Sequence, residues 1–175
     1  MTKQELEICI REHGRDIYSF CRHLADDPAE ADDLYQDTFL KAVELAERIE
    51  FQRNPKSYLL SIALRIWKNK KRKFAWRKRI ADMQPLTDEP EAATTASPEP
   101  SPEAYAAARE QSTAIRTAVE QLPERLRIVV LLFYMEDLSA AQIAGILKIP
   151  AGTVLSRLHQ ARKLLKKKLE DLFYE

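Results

Sequence analysis

Residues 138–173 decide the fold of this chain, and they read LSAAQIAGILKIPAGTVLSRLHQARKLLKKKLEDLF. Ser139 stands where a helix N-cap belongs, and Gln142 three residues later completes a capping box. A short helix is therefore predicted to begin after Ser139 and to end near Leu147.

A tight turn and a second helix follow. The turn is Lys148-Ile149-Pro150, and the second helix is predicted over residues 151–172. Two helices joined by a three-residue turn, the second of them basic, form a helix-turn-helix, whose second helix reads DNA from the major groove. Its candidate DNA contacts are Gly152, Thr153, Ser156, Arg157, Gln160 and Lys163. The alternative is an ordinary helical hairpin with a solvated basic face.

The composition favours an all-helical protein. Only 3 of the 175 residues are glycine, and 45% are apolar, which is enough to bury a core. Architectures of strands and tight turns need glycine at the turns, so this scarcity favours helices. A chain of this length forms one large or two small domains.

Three helices are predicted before residue 82. The first spans residues 5–24 on the helical spacing of its apolar residues. The second begins at Asp27-Pro28 and runs to about Ile49, and its inward residues are predicted to be Ala31, Leu34, Phe39, Ala42, Val43 and Ala46. The third begins at Asn54-Pro55, because Asn caps and Pro fits the first turn, and it continues into a basic run.

Residues 82–102 change the character of the chain. They read DMQPLTDEPEAATTASPEPSP, with five prolines and one large aliphatic residue, Leu86. Such a segment cannot bury enough apolar surface to offset the entropy of ordering it, so a flexible, acidic linker is predicted. It separates a helical domain of residues 1–81 from one of residues 103–175, which opens with helices over 103–122 and 124–135.

Charge is sorted into blocks although the net charge is only +1. Residues 1–50 hold thirteen acidic and six basic residues, whereas residues 65–79 hold nine basic residues and no acidic one. Such sorting indicates different surfaces for different partners. Since carboxylates repel phosphates, the acidic second helix is predicted to dock on a protein through Asp32, Asp33, Gln36 and Asp37. The alternative is a solvated acidic face.

The basic segment of residues 65–79 also carries aromatic residues. Aromatic rings stack on exposed bases while cations follow the backbone, which is typical of single-strand binding. The candidate contacts in this segment are Arg65, Trp67, Lys68, Lys70 and Lys71. The alternative, that Trp67 and Phe74 are core residues, stays open.

Three stretches resemble one known family. Residues 122–169, LPERLRIVVLLFYMEDLSAAQIAGILKIPAGTVLSRLHQARKLLKKKL, resemble region 4 of the extracytoplasmic-function sigma factors of bacterial RNA polymerase, a branch of the sigma-70 family. Residues 31–39 (ADDLYQDTF) resemble region 2.2, and residues 54–63 (NPKSYLLSIA) resemble the start of region 2.4. The resemblance covers about 150 residues and fails across the linker. It departs from the family at Ala63-Leu64-Arg65, where Ala-Arg-Asn is common.

The resemblance implies a fold, a function and partners. It implies a region 2-like helical bundle followed by a region 4-like helix-turn-helix, in a sigma factor that binds core RNA polymerase and recognises the −10 and −35 elements of promoter DNA. Arg162 joins the −35 contacts, and Asn54, Ser57 and Tyr58 join the −10 contacts as a pocket for a flipped base. The acidic helix would dock on a coiled coil of the polymerase largest subunit. An anti-sigma factor is a further partner that the family commonly has.

One other function class stays open, a free-standing helix-turn-helix regulator that binds duplex DNA as a dimer. Such a regulator has no need of an acidic docking helix followed by an aromatic and basic segment, so the first domain discriminates between the two classes. An enzyme is not predicted, since the chain has no phosphate-binding loop and no nucleophile with its base.

Several ligands and locations are also excluded by prediction. The paired carboxylates have no histidine cluster beside them, so neither a metal site nor a cofactor nor a small-molecule substrate is expected. Cys9 and Cys21 lack metal-ligand spacing and are predicted to be small apolar residues in a reducing cytosol. No secretory signal or membrane span is evident, which predicts a soluble, cytoplasmic protein without membrane insertion.

Overall fold

The structure is a computed structural model that describes residues 2–48, 54–82 and 103–173. Within these ranges seven α-helices occur in the order α1 Lys3–Leu24, α2 Pro28–Glu44, α3 Pro55–Asp82, α4 Glu103–Glu120, α5 Glu124–Val130, α6 Ala140–Leu147 and α7 Ala151–Phe173. A 3-10 turn, Ala46–Arg48, follows α2, and a π-helical turn, Leu131–Met135, continues α5. No strand occurs in these ranges, and the all-helical prediction is confirmed.

The predicted linker falls almost entirely outside the described residues. Residue 82 ends α3, and residues 83–102 are not described. The predicted end of the second helix near Ile49 also lies outside, and the described part of α2 ends at Glu44, five residues earlier.

Polar side chains cap the first turns of α1 and α2. Asp27 does so as predicted, whereas Thr2 caps a helix that begins at Lys3, two residues before the predicted start at residue 5. The Thr2 hydroxyl accepts a hydrogen bond from the Glu5 backbone N–H at 3.2 Å, and the Glu5 carboxylate accepts one from the Thr2 N–H at 2.6 Å. Asp27 caps α2 by accepting from the Glu30 N–H at 2.8 Å. Each cap satisfies backbone donors that have no partner within the helix, so the register of each helix is set locally.

The first three helices pack on one another around large apolar side chains. Ile17 and Phe20 of α1, Leu34 of α2, and Leu60 and Trp67 of α3 are fully buried. Burial of an aliphatic or aromatic side chain of this size stabilises the fold by about 1.5–3 kcal/mol.

One inward residue of the second helix was predicted wrongly. Val43 is 55% exposed, whereas Ala42 beside it is fully buried. The core stripe of α2 runs through Ala31, Leu34, Thr38 and Ala42. Thr38 is tolerated there because its hydroxyl donates to the Leu34 carbonyl at 2.6 Å.

The remaining four helices form a second group around α7. Helices α4, α5 and α6 all contact α7. Val129 and Leu132, on α5 and the π-helical turn, are buried with Ile143 of α6 and with Val154 and Leu158 of α7. The spacing of the last two residues is the four-residue step of one helix face, as the sequence predicts.

The two groups touch through α3 with α6 and through α1 with the π-helical turn. Their buried residues form a single connected apolar cluster. None of the described helices has an apolar stretch long enough to cross a lipid bilayer.

Candidate nucleic-acid interface

The helix-turn-helix is built by a cap, a left-handed residue and a proline. Ser139 accepts from the Gln142 N–H at 3.2 Å, and the Gln142 side chain accepts from the Ser139 N–H at 2.9 Å. Lys148 ends α6 in the left-handed conformation, with φ 54 and ψ 47. Pro150 then starts α7, since its carbonyl accepts from the Thr153 N–H at 3.0 Å and the Val154 N–H at 3.2 Å. The capping box and the turn predicted from the sequence are therefore present.

The outer side of α7 is polar, basic and exposed. Val154, Leu158 and Ala161 are buried, which turns the opposite side of the helix to solvent. We define the α7 surface as the exposed residues on that side, Gly152, Ser156, His159, Gln160 and Lys163. His159 was missed by the sequence reasoning, although its spacing of three from Ser156 and four from Lys163 places it on the same face.

Three predicted contacts lie at the edges of this surface. Thr153 and Arg157 are half-buried on the flank between the outer side and the core. Arg162 lies on the other flank, where its Nε donates to the Tyr134 hydroxyl at 2.7 Å. Its guanidinium also lies 5.7 Å from the ring centroids of both Phe133 and Tyr134. Arg162 is thus held against the π-helical turn and apart from the centre of the α7 surface.

Helix α3 has two sides with different surroundings. One side carries exposed or half-exposed polar residues at steps of three and four. We define the α3 surface as Tyr58, Ser61, Arg65, Lys68, Asn69 and Arg72. These residues line a cleft of about 930 Å³, and α6 forms its far wall with Ile146, Leu147 and Lys148. Among the residues that the structure describes, no acidic side chain lines this cleft, and its electrostatic character favours an anionic chain.

The other side of α3 is occupied by contacts within the protein. Lys70 pairs with Asp37 at 2.7 Å, and Lys71 pairs with Glu124 at 3.4 Å. Lys71 Nζ also lies 4.7 Å from the Trp67 ring centroid. Both lysines were predicted to contact DNA together with Arg65 and Lys68, but the helix turns them away from the α3 surface.

Trp67 is a core residue, and its assignment to the DNA-contacting set is corrected. Only 1% of Trp67 is exposed, so its ring has no face available for a base. The aromatic residue in the right phase is Trp76, which is 65% exposed and follows Arg72 by four residues. The position of Trp76 could have been predicted from the sequence, because Tyr58, Arg65, Arg72 and Trp76 recur at helical steps. Phe74, 71% exposed, lies in the phase of Trp67 and lines a separate cleft of about 670 Å³.

The residues predicted to form a pocket for a flipped base lie at the start of α3. Asn54 has a positive φ of 64°, and its side-chain oxygen accepts from the Ser57 N–H at 3.1 Å. The Ser57 hydroxyl is buried and has no hydrogen-bond partner within the described ranges, and Tyr58 is half-buried beside it. A buried hydroxyl of this kind costs free energy unless it gains a partner, which makes it a candidate donor to a ligand.

The outer side of α2 combines carboxylates with exposed aliphatic side chains. Asp32, Asp33 and Gln36 are exposed, and Asp32 accepts from the Tyr18 hydroxyl at 2.8 Å. Leu40 is 64% exposed and extends the same face together with Val43. We define the α2 surface as Asp32, Asp33, Gln36, Leu40 and Val43. Asp37 is half-buried and is engaged by Lys70, so it lies at the edge of this surface.

Neither cysteine belongs to these surfaces. Cys9 and Cys21 are buried in α1, and burial raises the pKa of the Cys21 thiol to about 12. Among the described residues, no group of three or more His, Cys, Asp or Glu is arranged to hold a metal ion.

Comparisons with known proteins identify the family of both domains. Residues 9–77 match sigma-70 region 2, and residues 112–165 match sigma-70 region 4. The ECF RNA polymerase sigma factor SigW of Bacillus subtilis (strain 168) is 29% identical over 160 residues, which cover 89% of this chain and 84% of SigW. The factor SigL of Mycobacterium tuberculosis (strain H37Rv) is 30% identical over 162 residues, covering 92% and 86%. The chain belongs to the extracytoplasmic-function sigma factors of the sigma-70 family.

Solved structures have the same fold as this sigma factor. The sigma factor RpoE of Bartonella quintana, in complex with the anti-sigma factor NepR, covers 96% of each chain with a TM-score of 0.71 and 24% identity. CnrH, in complex with the cytosolic domain of CnrY, covers 97% of this sigma factor and 90% of CnrH with a TM-score of 0.68 and 18% identity. The matched ranges fall inside the two predicted domains, and the boundaries at residues 81 and 103 stay a prediction.

Proposed function

We propose that this sigma factor directs core RNA polymerase to promoters by reading two DNA elements, the −35 element with the α7 surface and the −10 element with the α3 surface. The observation that carries the proposal is the presence of two separate polar and basic helix faces in one chain. A third face, on α2, is acidic and suits a protein partner instead of DNA.

The α7 surface has the chemistry for reading duplex DNA. Ser156 and Gln160 can exchange hydrogen bonds with base edges in a major groove, and Gln suits adenine. Arg157, on the flank, has a guanidinium that can bind guanine with two hydrogen bonds. Lys163, Lys166 and Lys167 are exposed further along the helix, where they can neutralise phosphates, whereas Lys168 donates to Gln121 of α4 at 2.8 Å.

The α3 surface has the chemistry for holding an unpaired strand. Arg65, Lys68 and Arg72 supply positive charge along one line, and Trp76 supplies an exposed ring on which a base can stack. Tyr58 and the Ser57 hydroxyl, at the start of the helix, are the proposed lining of a pocket for one flipped base.

The α2 surface is the proposed site of docking on the polymerase. Asp32 and Asp33 supply charge that a basic coiled coil can match, and Leu40 and Val43 supply apolar area at the centre of the contact. An anti-sigma factor is a second protein partner that we propose, because the structural relatives RpoE and CnrH are each described in complex with another protein.

Run-off transcription with purified core polymerase tests the proposed function. The template is the DNA upstream of this protein's own gene, and the expected result is a discrete transcript that requires both core polymerase and this chain. A free-standing regulator would instead bind that duplex without polymerase and would yield no transcript of its own. That second result would overturn the proposal.

Two α7 variants test base reading within the same assay. Arg157→Ala should lower promoter affinity by about 1–3 kcal/mol and relax the preference at one −35 base pair. Lys167→Ala should weaken all promoters equally, because a phosphate contact carries no sequence information. A uniform loss from both variants would remove Arg157 from the base-reading set.

A further inference from the structure

A buried acidic residue joins the two domains of the free chain. Glu136 lies directly after the π-helical turn, and only 3% of it is exposed. Its Oε2 lies 2.9 Å from Nζ of Lys56 in the first turn of α3. Lys56 Nζ also donates to Asp16 of α1 at 2.8 Å. The lysine therefore connects carboxylates of the region 2 and region 4 domains.

Burial of the Lys56–Glu136 pair has a desolvation cost in free energy as well as an electrostatic gain. Burial raises the pKa of Glu136, and the neighbouring Lys56 only partly opposes this effect. Burial also acts to lower the pKa of Lys56, but its contacts with Asp16 and Glu136 outweigh burial and raise that pKa. Both pKa values are raised, which favours the charged form of Lys56 and the neutral form of Glu136. The effect on charge differs because Lys56 has two carboxylates beside it, whereas Glu136 is the more deeply buried partner. A buried pair of this kind adds little net stability while it is intact, but removing one partner leaves an unpaired charge.

We call this arrangement, in which the two domains are in contact, the closed form. It turns the α3 surface toward the second domain. Lys56 lies between Asn54 and Ser57, and α6 faces Arg65 and Lys68 across the 930 Å³ cleft. The α7 surface is exposed in this arrangement. Promoter elements centred about 25 base pairs apart are separated by ~85 Å at 3.4 Å per step, so domains in contact cannot occupy both elements.

We propose that Lys56 and Glu136 form a latch that holds the two domains together in the free chain and keeps the α3 surface against α6 until the partner separates them. The part of the proposal that concerns DNA rests on the proposed function of the α3 surface. The latch itself rests on the geometry of Lys56, Asp16 and Glu136.

The distance between the domains is the direct test. Fluorophores on Glu7→Cys of α1 and Lys166→Cys of α7, both exposed positions, report this distance by resonance energy transfer in the full chain. Burial raises the pKa of the native thiols Cys9 and Cys21, so they stay unreactive during labelling. Glu136→Lys should place a second positive charge against Lys56 and shift the equilibrium toward the open form roughly 5- to 150-fold.

Three further variants separate the effect of this ion pair from a general effect on folding. Adding Lys56→Glu to Glu136→Lys restores opposite charges and should restore the energy transfer. Glu136→Gln removes the negative charge without a change in size, as protonation of Glu136 does, and should leave the domains closed, so that opening needs the charge reversal in Glu136→Lys. Asp137→Asn makes the same charge change one residue away and should also leave them closed. Asn suits that position because Asp137 has a positive φ of 52°.

The last measurement is the affinity of the chain, without polymerase, for an oligonucleotide that represents the unpaired −10 strand. The latch predicts that Glu136→Lys gains affinity for this oligonucleotide and that the charge-swapped double variant loses the gain. Unchanged energy transfer in a folded Glu136→Lys chain would overturn the latch, as would a double variant that stays open. Domains that open and close as expected without any gain in strand binding would support the latch and overturn its masking of the α3 surface. Run-off transcription decides the proposed function separately.

Discussion

Gly152 is a glycine that the fold itself does not require. It lies in the first turn of α7 with a negative φ, and a Cβ atom built on it would meet no atom within 4 Å. An alanine would therefore fit the folded chain. The absence of a side chain here suits the close approach of another backbone, such as that of DNA.

This leads to a prediction about Gly152. Gly152→Ala should raise the free energy of unfolding by about 0.4–1 kcal/mol, because alanine has less backbone entropy to lose, yet it should weaken binding of the holoenzyme to −35 DNA. Urea denaturation and fluorescence anisotropy measure the two effects. Gly145→Ala in α6 is the matched control, since it also meets nothing within 4 Å and should stabilise without a loss of DNA affinity. Identical DNA affinities for the two variants would contradict the contact.

The two tryptophans of α3 provide a second prediction at this scale. Trp76→Ala should lower the affinity of the holoenzyme for an unpaired −10 strand by about 1–3 kcal/mol, because a stacked base loses its partner. Trp67→Ala should instead lower the free energy of unfolding by about 3–5 kcal/mol, because it leaves a cavity in the core. Thermal unfolding and strand binding distinguish the two losses. Full strand affinity in the Trp76 variant would exclude that ring from the site.

At the scale of elements, α3 is one long helix with two functions. Its 28 residues span about 42 Å at 1.5 Å per residue. One side packs into the first domain and pairs with Asp37 and Glu124, and the other side carries the α3 surface. Because 3.6 residues complete each turn, cations that are consecutive in sequence, such as Lys70, Lys71 and Arg72, face different surroundings.

Helix α2 carries the prediction that concerns polymerase. Asp33→Lys and Leu40→Ala should each weaken core binding by about 1–2 kcal/mol, near a tenfold change in affinity, because each removes an exposed group from the α2 surface. A pull-down or titration with core polymerase measures the loss. Glu7→Lys reverses an exposed charge on α1 and should retain full affinity. Equal affinity in all three chains would show that α2 is a solvated acidic helix.

At the scale of the whole molecule, closure of the domains should depend on pH through His23. Burial lowers the pKa of His23, and the positive charges of Arg116, Arg127 and Arg22 lower it further. The negative charge of Glu120 opposes them and raises this pKa. A base with a lowered pKa binds its proton more weakly in the closed form, so closure loses stability as pH falls through the ordinary value of 6.5. Energy transfer between the labelled domains should therefore fall from about pH 7.5 to about pH 6.

Glu136 should act with the opposite sign at lower pH. Its pKa is raised in the closed form, where it faces Lys56 of α3, Asp16 and Cys21 of α1, and Asp137 beside it. As pH falls through this raised pKa toward the ordinary value of 4.5, the closed form takes up a proton, which relieves the cost of burial and favours closure. His23→Gln should thus abolish the opening near pH 6 and leave the response to stronger acid. An opening that persists near pH 6 in this variant would assign the response to another group.

The sequence by itself determined the elements of this protein and their order. Caps such as Thr2, Asp27 and Ser139, prolines at the first turn, and apolar residues at helical spacing are local signals. Each acts within a few residues of chain, so the helix starts could be predicted without knowledge of the packing. The motifs of regions 2 and 4 identified the family for the same reason, because they are read along the chain.

Only the tertiary structure decided which residues on those helices are available to a partner. Trp67 and Trp76 look equivalent in a basic aromatic segment, but the packing of α3 in the fold buries Trp67 and leaves Trp76 exposed. Lys70 and Lys71 look like their neighbours until Asp37 and Glu124 engage them. The pairing of Lys56 with Glu136 joins residues 80 positions apart. Which residues are covered or paired depends on which helices pack together. The spacing of residues along one helix does not determine that packing.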